Sequence, residues 1–369
     1  MKLCYIISEI NKAVYFEQTA LQLKAQHIDV CYILINGTNG ELHRFLSENG
    51  LTVYTLETPG ILKSTKAIFA CRKILKEAKI THIHCHLALA NWIGLWAGKL
   101  AGVKTRIYTR HSGEPLNIHW KERLIDRIQN RLATQIVAIS GIIDELLEKQ
   151  GVPAKKRVII YHGFDLDRFA HPNAEEVVRI SGDYNPDRQF PVIGVIARWQ
   201  ELKGIQYIIE AFQELLKTHP DALLSLFGAS DNADYSHEIS RLLKQLPERN
   251  VRVVSFENNV YDLFQLFNLY VHVPVNPTCE AFGQTYVEAL ASGIPSVFTL
   301  SGIAREFITD RENALVVPFK STEAIHQSML LLLNDRTLSE RLVQNGRVSV
   351  RELFNFDRYI AQLKALYIS

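Results

Sequence analysis

The sequence predicts an α/β protein built from two doubly wound, parallel-sheet domains facing each other across a cleft. Three observations carry this. Short β-prone runs alternate with amphipathic helical stretches, the spacing of a parallel sheet with helices on both faces. The alternation stops once, over residues 171–190, and then restarts. The length, 369 residues, allows two cores of ordinary size. The expected domains are 1–170 and 191–350, joined by a polar, proline-bearing linker at 171–190 and followed by a helix over 351–369.

In the first half, LCYIIS (3–8), CYILI (31–35), VYTLE (53–57), THIHCH (81–86), TRIYTRH (105–111) and QIVAIS (135–140) read as strands. Helices are expected over 15–26, 63–79, 92–101 and 119–131. The first strand is not read as a signal peptide, because Ser8 and Glu9 break its apolar run. In the second half, strands are expected at 192–197, 223–228, 251–256, 269–274, 297–300 and 316–317. Helices are expected at 203–218, 237–246, 260–267 and 322–333. The tail after Phe354 has the spacing of an amphipathic helix.

Composition narrows the function. No run of 18 apolar residues is present, so no membrane span is expected. Five cysteines with no metal-pair spacing read as reduced thiols of a cytoplasmic protein. The net charge is +2, but residues 1–180 hold 24 Lys/Arg against 17 Asp/Glu, or +7, leaving −5 for the rest. A basic first half suits an anionic partner such as a lipid diphosphate or an acidic membrane face. Basic residues interleave with Trp120, Leu124, Ile125 and Ile128 over 119–131, and Lys63, Lys66, Arg72, Lys73 and Lys76 add to them. This suggests peripheral docking on the anionic inner membrane. No aromatic–basic RNA motif is present, and nucleic acid is not an expected partner.

The chemistry is concentrated in residues 274–297, PVNPTCEAFGQTYVEALASGIPSV. Pro274 and Pro277 interrupt regular structure; Phe282, Tyr286, Ala289 and Leu290 then recur at helical spacing until Gly293 and Pro295 stop the run. The first turn at Ala281–Gln284 presents unpaired backbone N–H groups, and Gly283 leaves room for an anion such as a phosphate. Glu280 and Glu288 flank that point, with Glu288 six residues past Phe282, about 9 Å along the helix at ~1.5 Å per residue. Carboxylates accept hydrogen bonds from vicinal hydroxyls, so the set fits a nucleotide sugar: ribose, diphosphate, hexose. Over 192–212, Arg198 and Lys203 in a strand–loop–helix beside Gly204 supply two cations for a departing diphosphate.

The 274–297 segment resembles the glutamate–seven residues–glutamate motif of retaining GT-B glycosyltransferases, in particular family 4, also called glycosyltransferase group 1. Glu280, Phe282, Gly283, Glu288, Ala289, Ala291, Gly293 and Pro295 follow the family order, after Pro277-Thr278 where Pro-Ser is usual. Ala281 stands where Gly is common. Arg198, Lys203 and Gly204 match the family's Arg-x-x-x-x-Lys-Gly, whose cations contact the donor diphosphate. Thr109 and His111 match Thr-x-His, whose histidine meets the donor sugar or the reacting oxygens; Ser140 matches a Val-x-x-Ser on the acceptor side. His84 and His86 match Asp-x-x-His-x-His, with Thr81 at the acidic position. His162-Gly163-Phe164-Asp165 overlays Asn-Gly-x-Asp, so Asp165 and Asp167 read as turn and cap residues. The glycine pair usual after the first strand is absent; Glu9, Ile10, Asn11 and Lys12 stand there.

The resemblance implies a retaining transferase that moves a hexose from a nucleoside-diphosphate sugar, UDP first, to a hydroxyl of a glycan or lipid-linked acceptor. By analogy with the family, the setting is bacterial cell-surface polysaccharide or lipopolysaccharide synthesis. In the family's favoured route the acceptor attacks the face that the diphosphate leaves, and that phosphate takes the proton. Glu280, Arg198, Lys203 and His111 are then the catalytic residues. The donor is held by Phe282, Gly283, Gln284 and Glu288, with Gly228, Phe256 and Glu257 lining the base. His86, Ser140 and Glu9 fall on the acceptor side. No cofactor and no metal are expected; a zinc site at His82, His84 and His86 would need further ligands in a single barrel. The tail helix is expected to pack on the first domain, as in the GT-B fold. The competing readings are a GT-B sugar-nucleotide epimerase, which would need acid–base carboxylates in the first half, where only Glu9 and Glu114 are near strand ends, and a non-catalytic nucleotide-sugar-binding module.

Overall fold

In a computed structural model, which describes residues 1–11, 13–113, 120–229 and 233–368, the chain forms two compact units, Met1–Phe164 with Phe356–Ser369, and Asp165–Asn355. Lys12 and Glu114 lie outside the described residues.

The first unit holds β1 (Leu3–Ser8), β2 (Val30–Ile35), β3 (Thr52–Leu56), β4 (His82–His86), β5 (Thr105–Arg110), β6 (Gln135–Ala138) and β7 (Arg157–Ile159). They form one parallel sheet in the order β3-β2-β1-β4-β5-β6-β7. β1 and β2 are buried along their whole length, as strands covered on both faces must be. β7 was not expected from sequence. Its three residues, Arg157, Val158 and Ile159, sit at the sheet edge and are too short to show a period.

The second unit holds β8 (Val192–Ile196), β9 (Leu223–Phe227), β10 (Val251–Val254), β11 (Leu269–His272), β12 (Ser296–Phe298) and β13 (Leu315–Val316). The order, β10-β9-β8-β11-β12-β13, repeats the doubly wound pattern of the first sheet. Its core gathers Ile208, Phe212, Leu224, Val271, Val297 and Met329 between helices and sheet.

Two boundaries differ from the sequence reading. The stretch 171–190 is not a bare linker, because Ala174–Tyr184 forms a helix of the second unit. Asn173 caps it through the Glu175 and Glu176 amides, and Ile180 is buried against the unit. The prolines at 172 and 186 bracket this helix rather than forbid it. The second unit also runs on through the Arg336–Phe354 helix. The tail helix, Phe356–Ile368, then joins the first unit, where Tyr359, Ile360, Leu363 and Tyr367 enter the core.

Candidate functional site

Each sheet reverses its strand order beside its central strand, the switch point where ligands of such sheets bind. In the second unit that point lies between β8 and β11. The loop after β8 carries Ala197 and Arg198 into a short turn, Glu201–Lys203, and the Ile205–Leu215 helix. The loop after β11 carries Glu280 into the Gln284–Ser292 helix.

Lys203 and Glu280 meet there. Lys203 Nζ donates to Glu280 Oε1 at 2.6 Å, and His272 Nε2 lies 3.1 Å from the same oxygen. Burial works against the Glu280 charge, but the His272 hydrogen bond and the Lys203 cation outweigh it and hold the carboxyl at about 2. Burial pushes His272 below the ordinary histidine range despite that carboxylate. Neutral His272 therefore donates its Nε2–H to Glu280 and leaves Nδ1 as a buried lone pair without a partner among the described residues. The Glu280 amide donates to Ser301 Oγ at 3.1 Å, while Gly302 N bonds Pro277 O and Ile303 N bonds Phe282 O. These contacts fix the loop from below. Sequence reasoning missed His272, Ser301 and Gly302. The available signal was His272, a histidine in an otherwise apolar strand, two residues before Pro274.

Gly283 stands at the cap of the Gln284–Ser292 helix with φ 90° and offers no side chain to the first-turn amides. Phe282 turns inward, 4% exposed, edge-on to Phe354 at 5.8 Å. Its side chain serves the core, and its carbonyl oxygen accepts from the Ile303 amide. Gln284 is exposed. Glu288 is half-buried, and that burial alone raises its carboxyl to about 7. Arg198 is exposed and makes no hydrogen bond or ion pair among the described residues. Gly228, φ 100°, ends β9 against this loop, where a Cβ would come within 2.6 Å of the Ala197 carbonyl oxygen.

Two further residues expected to line the base, Glu257 and Phe256, lie just after β10. Glu257 is bound by Tyr184 Oη at 2.8 Å, by the Asn259 amide at 2.8 Å and by Arg179 at 3.4 Å. It anchors the Ala174–Tyr184 helix, which lies within the stretch expected as linker. Phe256 is 70% exposed.

In the first unit the carboxyl ends of β4 and β5 gather histidines. His86 Nδ1 and His111 Nε2 lie 3.0 Å apart, and His111 stacks on His162 at 5.5 Å. His84 bonds Tyr367 Oη at 2.7 Å and Thr109 Oγ1 at 2.8 Å. Burial pushes all four down, His84 to about 3 and His111 to about 4. His82 instead bonds Thr81 at the strand start. Tyr5 meets Tyr367 at 2.6 Å and Tyr15 bonds Tyr359, so the tail helix is tied to the same cluster. Tyr15, Tyr359 and Tyr367 gave no local signal, since they lie more than 340 residues from their partners or singly on a tail. Glu9 is exposed with φ 56°, a left-handed backbone held without glycine by its amide bond to Ile35 O. Ser140 is fully buried at the cap of the Gly141–Lys149 helix. Among the described residues no set of three metal-ligating side chains is present, and no helix is long and apolar enough to cross a membrane.

The fold is that of Anabaena Alr3699/HepE, solved in complex with UDP: TM-score 0.84 and 18% identity, covering 99% of each chain. Two repeated Rossmann-like domains of this kind are the GT-B architecture of glycosyltransferases. Residues 13–168 match the model "Glycosyltransferase Family 4" and residues 179–349 the model "Glycosyl transferases group 1", and the chain belongs to this family of transferases. It is 24% identical over 356 residues to the capsular polysaccharide biosynthesis glycosyltransferase CapM of Staphylococcus aureus, covering 94% of this chain and 91% of that one. It is 26% identical over 312 residues to mannosylfructose-phosphate synthase of Agrobacterium fabrum, covering 80% of this chain but 65% of that longer one.

Proposed function

We propose that the protein transfers a hexose, with retention of anomeric configuration, from a UDP-sugar to a hydroxyl of a glycan or lipid-linked acceptor. The observation that carries this is the Lys203–Glu280–His272 cluster beside the uncapped Gln284–Ser292 helix at the switch point. A diphosphate set at that helix end meets backbone N–H groups and the Arg198 and Lys203 cations. Glu280 stays ionised beside the sugar and stabilises positive charge developing at its anomeric carbon. Glu288 takes the ribose hydroxyls.

The sugar–phosphate bond breaks and the acceptor oxygen forms the new bond on the same face. The acceptor proton passes to the departing phosphate oxygen. Catalysis is then positioning and leaving-group electrostatics. UDP is favoured as carrier because the structurally similar HepE is solved with UDP and with UDP-glucose. CapM places relatives in capsular polysaccharide synthesis, and we assign the same kind of pathway here.

The test is thermal stabilisation across UDP-, GDP- and ADP-sugars, with Glu288→Ala alongside. A ligand at a hundred times its Kd adds ~2.7 kcal/mol. A shift with UDP-sugars that Glu288→Ala loses supports the reading, and no shift with any of them overturns it. NMR of the product's anomeric proton tests retention. The Trp120–Leu132 helix exposes Trp120 and Leu124 among Lys121, Arg123 and Arg127, and we assign it to an anionic membrane face. Co-sedimentation with phosphatidylglycerol vesicles but not phosphatidylcholine vesicles, lost in Trp120→Ala/Lys121→Ala, is the expected result.

A further inference from the structure

The hydrogen bond between His86 Nδ1 and His111 Nε2, 3.0 Å, forces a choice of tautomer. Burial keeps both rings neutral at pH 7, so only one nitrogen of the pair carries the shared hydrogen. Two arrangements exist. If His111 Nε2–H donates, His86 must carry its own hydrogen on Nε2. If His86 Nδ1–H donates, His86 Nε2 is a lone pair and His111 carries its hydrogen on Nδ1.

His86 Nε2 decides between them. His86 is fully buried, and Nε2 has no hydrogen-bond partner among the described residues. The other rings packed against His86 are His84 at 4.3 Å, whose two nitrogens already bond hydroxyls, Tyr5, stacked at 5.0 Å, and Phe16, edge-on at 5.1 Å, which offer at most weak π acceptance. An orphaned buried N–H is rarer and costlier than an under-satisfied acceptor. The second arrangement follows. His111 is only half-buried, and its Nδ1 has no partner among the described residues, so it is the atom that a ligand would meet.

We propose that His86 is a positioning residue that fixes His111 in its Nδ1–H tautomer, so that His111 presents a hydrogen-bond donor, not a lone pair, to an oxygen of a ligand at the carboxyl end of β5. This rests on the glycosyltransferase reading for the identity of that oxygen, but not for the tautomer. The role assigned to His111 is thereby narrowed. As a donor with a depressed pKa it cannot act as the base that takes the acceptor proton, which goes to the leaving phosphate. His84 is not interchangeable with His86, because both its nitrogens already bond hydroxyls, of Tyr367 and Thr109.

The experiment is two-bond 1H–15N correlation NMR of the full chain labelled with 15N-histidine at pH 7. His111 is assigned by its disappearance in His111→Gln. The wild type should show His111 with its hydrogen on Nδ1. His86→Leu should shift it toward the Nε2–H form. His86→Asn, whose amide N–H stands where Nδ1–H did, should restore Nδ1–H. In turnover of the UDP-sugar, His86→Leu should lower kcat about tenfold or more, the cost of one lost hydrogen bond, with donor KM changed less than about twofold; His86→Asn should recover most of it. Nε2–H on His111 in the wild type overturns the proposal. So does a tautomer unchanged in His86→Leu, or a changed tautomer with unchanged kcat. Failure of the transferase reading is seen separately, as no sugar transfer from any UDP-sugar by the wild type, whatever the NMR shows.

Discussion

Lys203 Nζ lies 2.6 Å from Glu280 Oε1, and His272 Nε2 bonds the same carboxylate oxygen. The cation assigned to the donor diphosphate is thus held at rest by the carboxylate assigned to the sugar. Both side chains are nearly buried, so each charge depends on the other for compensation.

Removing one partner leaves the other charge buried. Lys203→Met is expected to lower stability by about 3 kcal/mol, and Glu280→Gln by a similar amount. The double variant should cost less than the sum by roughly 1–3 kcal/mol. Urea unfolding of the four proteins measures this, and strict additivity would show that the contact carries no coupling.

His272 contributes the largest interaction that lowers the Glu280 pKa. His272→Leu removes that bond and should raise the Glu280 carboxyl above its present value of about 2. The donor turnover rate should fall at least about tenfold with Lys203 intact. Wild-type turnover in His272→Leu would place the pair outside the chemistry.

Glu288 is an acid whose pKa burial raises to about 7. A raised folded pKa means that the folded state binds the proton more tightly. Its stabilising effect is complete below the unfolded value of about 4.3 and is lost as pH rises through about 7. Glu288→Gln should therefore melt higher than wild type at pH 8, with no such gain at pH 4, while losing UDP-sugar stabilisation. Melting curves at the two pH values check both parts.

Gly302 has φ 58°, and a Cβ there would stand 2.7 Å from Glu280 Cβ and 2.7 Å from Phe282 O. Gly302→Ala should destabilise by more than about 1 kcal/mol and weaken UDP-sugar binding, because the loop must shift. Calorimetric titration with UDP reads the second effect. Unchanged affinity would mean that the 277–283 loop does not set the site.

His84 and His111 have folded pKa values pushed down to about 3 and about 4. Depressed histidines contribute stability that is present above the unfolded value of about 6.5 and falls as pH drops toward those values. Each adds up to ~1.4 kcal/mol per pH unit to the slope. His111→Gln should flatten stability against pH between 6 and 4. An unchanged slope would show that His111 titrates as it does in water.

The glutamate motif, the Arg–Lys loop and the doubly wound pattern were all legible because each is local. Strand period, helix punctuation and charge spacing lie within about twenty residues of sequence. The partners of Glu257 were hidden for the complementary reason. Glu257 stands in the expected loop, yet Arg179 and Tyr184, more than seventy residues earlier, take its carboxylate. The same helix was hidden by flanking prolines that resemble linker composition.

The sequence by itself determined the two α/β halves and singled out the residues proposed for the donor site, since local periodicity and backbone chemistry at a helix end do not depend on distant packing. Only the tertiary structure decided which charges pair and which tautomers are held. Lys203 finds Glu280 across seventy-seven residues, and His86 finds His111 across a strand pair. Burial then sets their protonation, because the cost of a charge depends on what surrounds it in space.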